Sequence, residues 1–133
     1  MDERIERDWS RFESIQIEEA ARRIAGVVRR TPLLRLPLAD ERIELRAKLE
    51  NRQETGAFKA RGAWNQVARL DERARSRGVV ATSSGNHGKA LAWAAARAGV
   101  KATIVMPENA YPNKIAACRE FGATVVLEAT REL

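Results

Sequence analysis

A chain of 133 residues, 44% hydrophobic and 32% charged, has the size and balance of one globular domain, which excludes extended disorder, collagen-like repeats and a disulfide scaffold. It has no run near the roughly 20 apolar residues that span a bilayer, no apolar segment in its N-terminal MDERIERDWS to serve as a secretory signal, and a single cysteine, Cys118, so no membrane partner is expected and a reducing, cytoplasmic setting is. The net charge of +6 rests on 24 cations, nineteen of them arginine, interleaved with acids in ERIERD, EEAARR and DERARSR; with only seven scattered aromatics, solvated helix faces are expected rather than a nucleic-acid footprint.

Residues 17–29 carry Ala20, Ala21, Ile24, Val27 and Val28 at helical spacing. Acids lead and arginines follow, which suits the helix dipole and predicts an amphipathic helix. Thr31-Pro32 ends it, because proline pushes the preceding residue out of the helical region. An extended run from Leu33 to Leu36 follows, broken by Pro37. Ile43, Leu45, Ala47 and Leu49 then alternate with Glu44, Arg46, Lys48 and Glu50, the period of a strand with one wet face. Residues 51–56 read as a polar turn. From Ala57 to about Arg77 the composition favours helix, and Gly78 stops it.

The remainder has a regular rhythm. Val79–Thr82 is a short apolar strand, SSGNHG at 83–88 a polar loop, and Lys89–Ala98 an alanine-rich helix closed by Gly99. Val100–Met106 is a strand, 107–111 a loop, Pro112 the start of a helix closed by Gly122, and Ala123–Leu127 a third strand. This order predicts an α/β fold with a parallel βαβαβ sheet and right-handed crossovers. Ligands in such sheets sit beyond the carboxyl ends of the strands, where the SSGNHG loop falls. The first 50 residues hold a helix and a strand outside this unit, and the chain stops a few residues past a strand that reads as internal. It therefore reads as part of something larger.

Two segments carry chemistry. Lys59 lies near a helix start among alanines, glycines and Phe58. An amine held in apolar surroundings at a positive helix end loses preference for its charged form and becomes a nucleophile for a carbonyl or a pyridoxal aldehyde; the plain alternative is a surface lysine. SSGNHG concentrates hydroxyls, an amide, an imidazole and backbone N–H groups before a helix, which suits a carboxylate or phosphate. Its plain alternative is a helix cap from Ser84 or Asn86. It matches neither a Walker A loop nor a dinucleotide fingerprint. His87 is the only histidine, so no His-based metal site is expected. A Cys118–His87 nucleophile pair is conceivable, but Cys118 among Ala116 and Ala117 reads as a small buried residue. Trp9, Trp64 and Trp93 read as packing residues.

LENRQETGAFKARGA at 49–63, SSGNHG at 83–88 and TIVMPE at 103–108, with RIAGVVRRTPLL at 23–34, together resemble the fold type II pyridoxal-phosphate enzymes, in the branch of serine/threonine dehydratases and serine racemases. The resemblance covers roughly residues 15–128. It implies that Lys59 carries pyridoxal 5'-phosphate and moves protons at the substrate Cα. It further implies that Phe58 lies beside the cofactor ring and Asn86 bonds its phenolic oxygen. Ser83, Ser84, Gly85, Asn86 and His87 would receive the substrate carboxylate. Cysteine synthases resemble this fold but usually carry threonine at the His87 position, which favours the dehydratase and racemase side. Ser84 matches the position of a racemase's second acid/base.

The resemblance implies β-elimination of threonine or serine to a 2-oxo acid and ammonia. The alternatives are a serine racemase or 3-hydroxyaspartate dehydratase on the same scaffold, or an inactive remnant domain. Residues 1–50 would belong to an incomplete large cofactor-binding domain and residues 51–133 to a small α/β domain. The family's glycine-rich phosphate loop, its pyridine-nitrogen partner and its racemases' metal site have no counterpart among the eight glycines and other residues here. The isolated chain is therefore expected to turn over little. A complete protein would be a homo-oligomer, or the chain would pair with a complementing C-terminal partner.

Overall fold

The computed structural model describes residues 16–37, 40 and 42–129. It opens with α1, Ile17–Ile24, which carries Glu18 and Glu19 in its first turn and Arg22 and Arg23 in its last. The helix is shorter than the 17–29 its periodicity predicts. Ala25 turns extended and Gly26 takes φ +74°, a left-handed value that suits glycine. Val27 and Val28 still pack against the core, now from a turn.

Strand β1, Leu33–Leu36, pairs antiparallel with β2, Leu45–Lys48, with Leu33 opposite Lys48 and Leu36 opposite Leu45. The expected strand with one wet face is corrected twice. It is shorter, because Glu50–Arg52 form a 3-10 turn, and among the described residues neither of its faces is buried. Leu33, Leu34, Leu36 and Leu45 are all exposed.

The single helix expected from 57 to 77 is two: α2, Lys59–Val67, and α3, Glu72–Arg77. Asp71 divides them. Its backbone is extended and its carboxylate accepts from Ala74 N at 2.7 Å, so it starts a new helix as an N-cap. Gly78 ends α3 at φ +84°, as expected of the glycine there.

From Val79 the predicted rhythm is observed. Strands β3, Val79–Thr82, β4, Ala102–Pro107, and β5, Thr124–Glu128, form a parallel sheet in the order β3-β4-β5. Between them run α4, Asn86–Ala98, and α5, Pro112–Glu120, the latter opening on proline. Helix α4 begins three residues earlier than predicted, so Asn86 and His87 belong to its first turn rather than to a loop.

The core lies where α4 packs on the sheet, on α2 and on α5. Six consecutive residues of α4, Ala90–Ala95, are buried, and most are alanine, so neighbouring backbones approach closely. Ile104 and Met106 of β4, Val67 of α2 and Cys118 of α5 are the largest fully buried side chains. Trp64 and Trp93 meet between α2 and α4 with ring centroids 6.2 Å apart, tilted by 58°. Trp64 Nε1 also donates to Arg23 O at 3.2 Å, tying α1 to α2. Trp9 lies outside the described residues.

Gly88 marks a close approach of α4 to β4. A Cβ there would stand 2.9 Å from Ile104 Cγ2 and 3.3 Å from Ser83 Cβ. Neither neighbour is the end of a flexible chain, so the clash must move α4 or β4. Gly88→Ala is expected to cost about 1–3 kcal/mol of stability, the usual range for overpacking. Urea denaturation of the two proteins checks this.

Candidate active site

The site is built around the start of α2. Gln53 is buried and treats residue 29 as a strand partner would: its Oε1 accepts from Arg29 N at 2.8 Å and its Nε2 donates to Arg29 O at 2.9 Å. The chain then turns through Gly56, at φ +75°, whose N donates to Gln53 O at 2.8 Å. Phe58 precedes the helix and Lys59 is its first residue.

No side chain caps this helix start, and no acid lies in its first turn. Arg61 supplies the anchor instead. Its Nη2 and Nε donate to the two oxygens of Glu50 at 2.7 and 3.0 Å, and Nη2 also reaches Arg29 O at 3.1 Å. Thr31, itself buried, donates to Glu50 Oε1 at 2.5 Å. The Arg61 fork, with Thr31 and Gln53 assisting, holds the Glu50 carboxyl far below its ordinary value, at about 2.

Lys59 is exposed, not enclosed by apolar groups as its sequence neighbours imply. Its Nζ lies 5.2 Å from the centroid of the Phe58 ring. The reason is geometric: the small residues around it, Ala60 and Ala63, turn inward to the core and leave the amine at the surface. Lys59 borders a cavity of about 550 Å³ whose apolar wall includes Phe58, Val67, Leu70, Val79 and Leu91. His87 lines it too. The cavity lies within the usual range for small-molecule sites, ~300–1,000 Å³.

The structure thus brings Phe58, Lys59 and His87 to one cavity. Ser83, Ser84, Gly85 and Asn86 follow the end of β3 but are not part of its wall. Ser83 Oγ accepts from Gly85 N at 3.2 Å and Gly88 N at 2.9 Å, so Ser83, not Ser84 or Asn86, shapes the start of α4. With both lone pairs so engaged, the Ser83 hydroxyl has its proton left to donate. The amides of Ser84, Asn86 and His87 have no acceptor among the described residues, which keeps an anion site open at this helix end. Asn86 Oδ1 accepts from Lys114 Nζ at 3.1 Å.

Cys118 is fully buried, and burial pushes its thiol up. Burial and a raised thiol both argue against the Cys–His alternative. Arg61 and Glu50 were the residues the sequence hid. Their opposite charges flank the Lys59 motif, but nothing in the spacing shows that they meet.

Comparison with known proteins gives this site its setting. The family model described as "Pyridoxal-phosphate dependent enzyme" matches residues 24–130. The chain is 48% identical over 114 residues to an L-threonine ammonia-lyase of Thermotoga maritima, covering 84% of this chain and 28% of that protein. It is 49% identical over 110 residues to an L-threo-3-hydroxyaspartate ammonia-lyase of a Pseudomonas species, covering 81% of this chain and 34% of that protein. Its fold matches that of maize serine racemase with a TM-score of 0.81 and 40% identity, over 86% of this chain and 36% of the racemase. The chain belongs to the pyridoxal-phosphate dependent enzyme family, and its cofactor is pyridoxal 5'-phosphate. It spans about a third of the length of these relatives.

The residues present fit that cofactor. A primary amine suits its aldehyde, an aromatic and aliphatic wall suits its ring, and unpaired amides suit an anionic oxygen. The Glu50–Arg61 pair predicts a pH dependence of folding. Glu50 titrates lower when folded than its ordinary value of 4.5, so its stabilisation is present above pH 4.5 and is lost as pH falls toward 2. With both side chains partly solvated the effect is expected to be about 1 kcal/mol. Glu50→Gln should flatten this acid limb in denaturation curves taken from pH 2 to 6.

Proposed function

We propose that the protein carrying this chain catalyses pyridoxal-phosphate-dependent β-elimination of threonine or serine to a 2-oxo acid and ammonia. The observation that carries this reading is Lys59, first residue of α2, bordering a cavity with Phe58 and His87 in a chain of this family. The ammonia-lyase relatives support the reaction class. When bound, the cofactor supplies an aldehyde that holds the substrate amino group and a ring that takes up the electron pair released at Cα.

The chain's own residues divide the remaining work. Lys59 holds the cofactor and takes the Cα proton of the substrate. Phe58 packs beside the ring, and Asn86 donates to an anionic oxygen. The Ser83 hydroxyl and the open amides of Ser84, Asn86 and His87, with the backbone of Gly85, receive the substrate carboxylate. The β-hydroxyl leaves as water, and hydrolysis of the resulting imine releases ammonia.

Two further readings rest on particular observations. The 3-hydroxyaspartate ammonia-lyase relative matches as well as the threonine enzyme, so 3-hydroxyaspartate is a candidate substrate. Ser84 is exposed and makes no side-chain hydrogen bond among the described residues, which leaves its hydroxyl available as a second acid/base for racemisation. An amino acid is the small-molecule partner in each case, and a homo-oligomer or a complementing C-terminal chain would complete the site.

We further propose a boundary near residue 50, with residues 1–50 contributing to a larger cofactor domain and 51–133 forming a small α/β domain. The Glu50–Arg61 pair would then join the two at their seam. No helix among the described residues is long and apolar enough to cross a membrane, and a cytoplasmic setting remains our reading.

The test is an assay of the protein carrying this chain with threonine, serine and 3-hydroxyaspartate, measuring 2-oxo acid, ammonia and the chirality of recovered substrate. The expected result is 2-oxo acid from a β-hydroxy amino acid, abolished by Lys59→Ala. Inverted substrate without 2-oxo acid would favour the racemase reading, and Ser84→Ala should then remove it. Neither product from any of the three would contradict the proposal.

A further inference from the structure

Asn86 has one side-chain partner among the described residues. Lys114 Nζ, in the first turn of α5, donates to Asn86 Oδ1 at 3.1 Å across 28 positions of sequence. The sheet brings them together. Helix α4 starts beyond the carboxyl end of β3, α5 beyond that of β4, and the two strands are hydrogen-bonded neighbours.

Lys114 is well supported at its base. Pro112 fixes the first turn of α5, Lys114 N donates to Tyr111 O at 2.9 Å, and the adjacent Ile115 packs against the core. The lysine is half-buried and makes no ion pair among the described residues. Its ammonium is therefore not diverted to a described carboxylate.

The chemistry of the pair decides which way the amide faces. An ammonium has three donors and no acceptor, whereas an asparagine amide has an accepting oxygen and a donating NH₂ on opposite sides. Contact with Lys114 forces the oxygen toward α5 and turns Nδ2 away from it. Asn86 Nδ2 has no acceptor among the described residues.

We propose that Lys114 is a positioning residue that fixes the Asn86 amide with its NH₂ toward the bound ligand, an inference that rests on the reading of Asn86 as a cofactor-binding residue. Asn86 then serves only as a donor. The site selects at that point an oxygen that accepts, such as a phenolate or a carboxylate, and disfavours a hydroxyl that must donate.

The experiment uses the full chain labelled with ¹⁵N. The Asn86 side-chain NH₂ signals are assigned by their loss in Asn86→Ala, then followed in Lys114→Met and Lys114→Arg. The expected result is that Lys114→Met shifts this pair and gives it the fast motion of a free asparagine, and that Lys114→Arg restores the wild-type order. Pyridoxal phosphate is titrated into each protein. Lys114→Met is expected to weaken its binding about tenfold, the loss of one charge-assisted hydrogen bond. In the Asn86→Ala background Lys114→Met should have no further effect, as two residues acting through one contact require.

Unmoved Asn86 signals in Lys114→Met would overturn the proposal. So would independent, multiplying effects of Lys114→Met and Asn86→Ala. Asn86 signals that respond to Lys114→Met in a chain whose affinity for pyridoxal phosphate is unchanged by Asn86→Ala would support the contact and contradict the cofactor role given to Asn86.

Discussion

Arg61 reaches back from the first turn of α2 to Glu50, and three stretches of chain meet at that pair: residues 29–31, the turn at 50–54 and the helix that begins with Lys59. The helix needs this anchor because its own N-terminus lacks a side-chain cap. A guanidinium fork on a carboxylate fixes direction as well as distance, which a lysine at the same place would not. Gln53 adds a second constraint by pairing with the backbone of Arg29 as a strand would. The position of Lys59 is thus set by polar contacts on its N-terminal side and by Ala60, Ala63 and Val67 in the core on the other. Partly buried pairs of this sort contribute little net stability, and their stronger effect is on which geometry is adopted.

The other half of the site depends on close packing. Strand β4 and helix α4 approach at Gly88, and Ser83 bonds the amides of Gly85 and Gly88 at the same point. This leaves other amides of the turn open at the carboxyl end of the sheet. Alanines along α4 allow the helix to lie close enough to β4 for that arrangement. His87 then reaches the cavity that Lys59 borders, and Asn86 meets Lys114 of the next helix.

The sequence made the parallel unit legible because each element there is bounded by its own signal. Gly78, Gly99, Pro112 and Gly122 punctuate short apolar strands and helices that follow one period. Where two local rules compete, composition and period alone mislead. Composition favoured one helix through Asp71, but a carboxylate that bonds Ala74 N starts a new one. The apolar period of the first helix continued past Gly26, whose backbone turns left-handed. Alternation at 43–50 was real as a strand signal, yet its leucines lie exposed among the described residues, because alternation states that a face is apolar and not what covers it. Lys59 and the SSGNHG loop stood out by residue type. The Glu50–Arg61 and Asn86–Lys114 contacts did not, because both are products of tertiary placement.

We propose that this fold singles out Lys59 among its five lysines as the amine that meets a pyridoxal aldehyde. The most direct measurement is incubation with pyridoxal phosphate, borohydride reduction and peptide mass spectrometry. A single pyridoxyl group on Lys59, lost in Lys59→Ala and not transferred elsewhere, is the expected result. Equal labelling of Lys48, Lys89, Lys101 and Lys114 alongside Lys59 would contradict the claim.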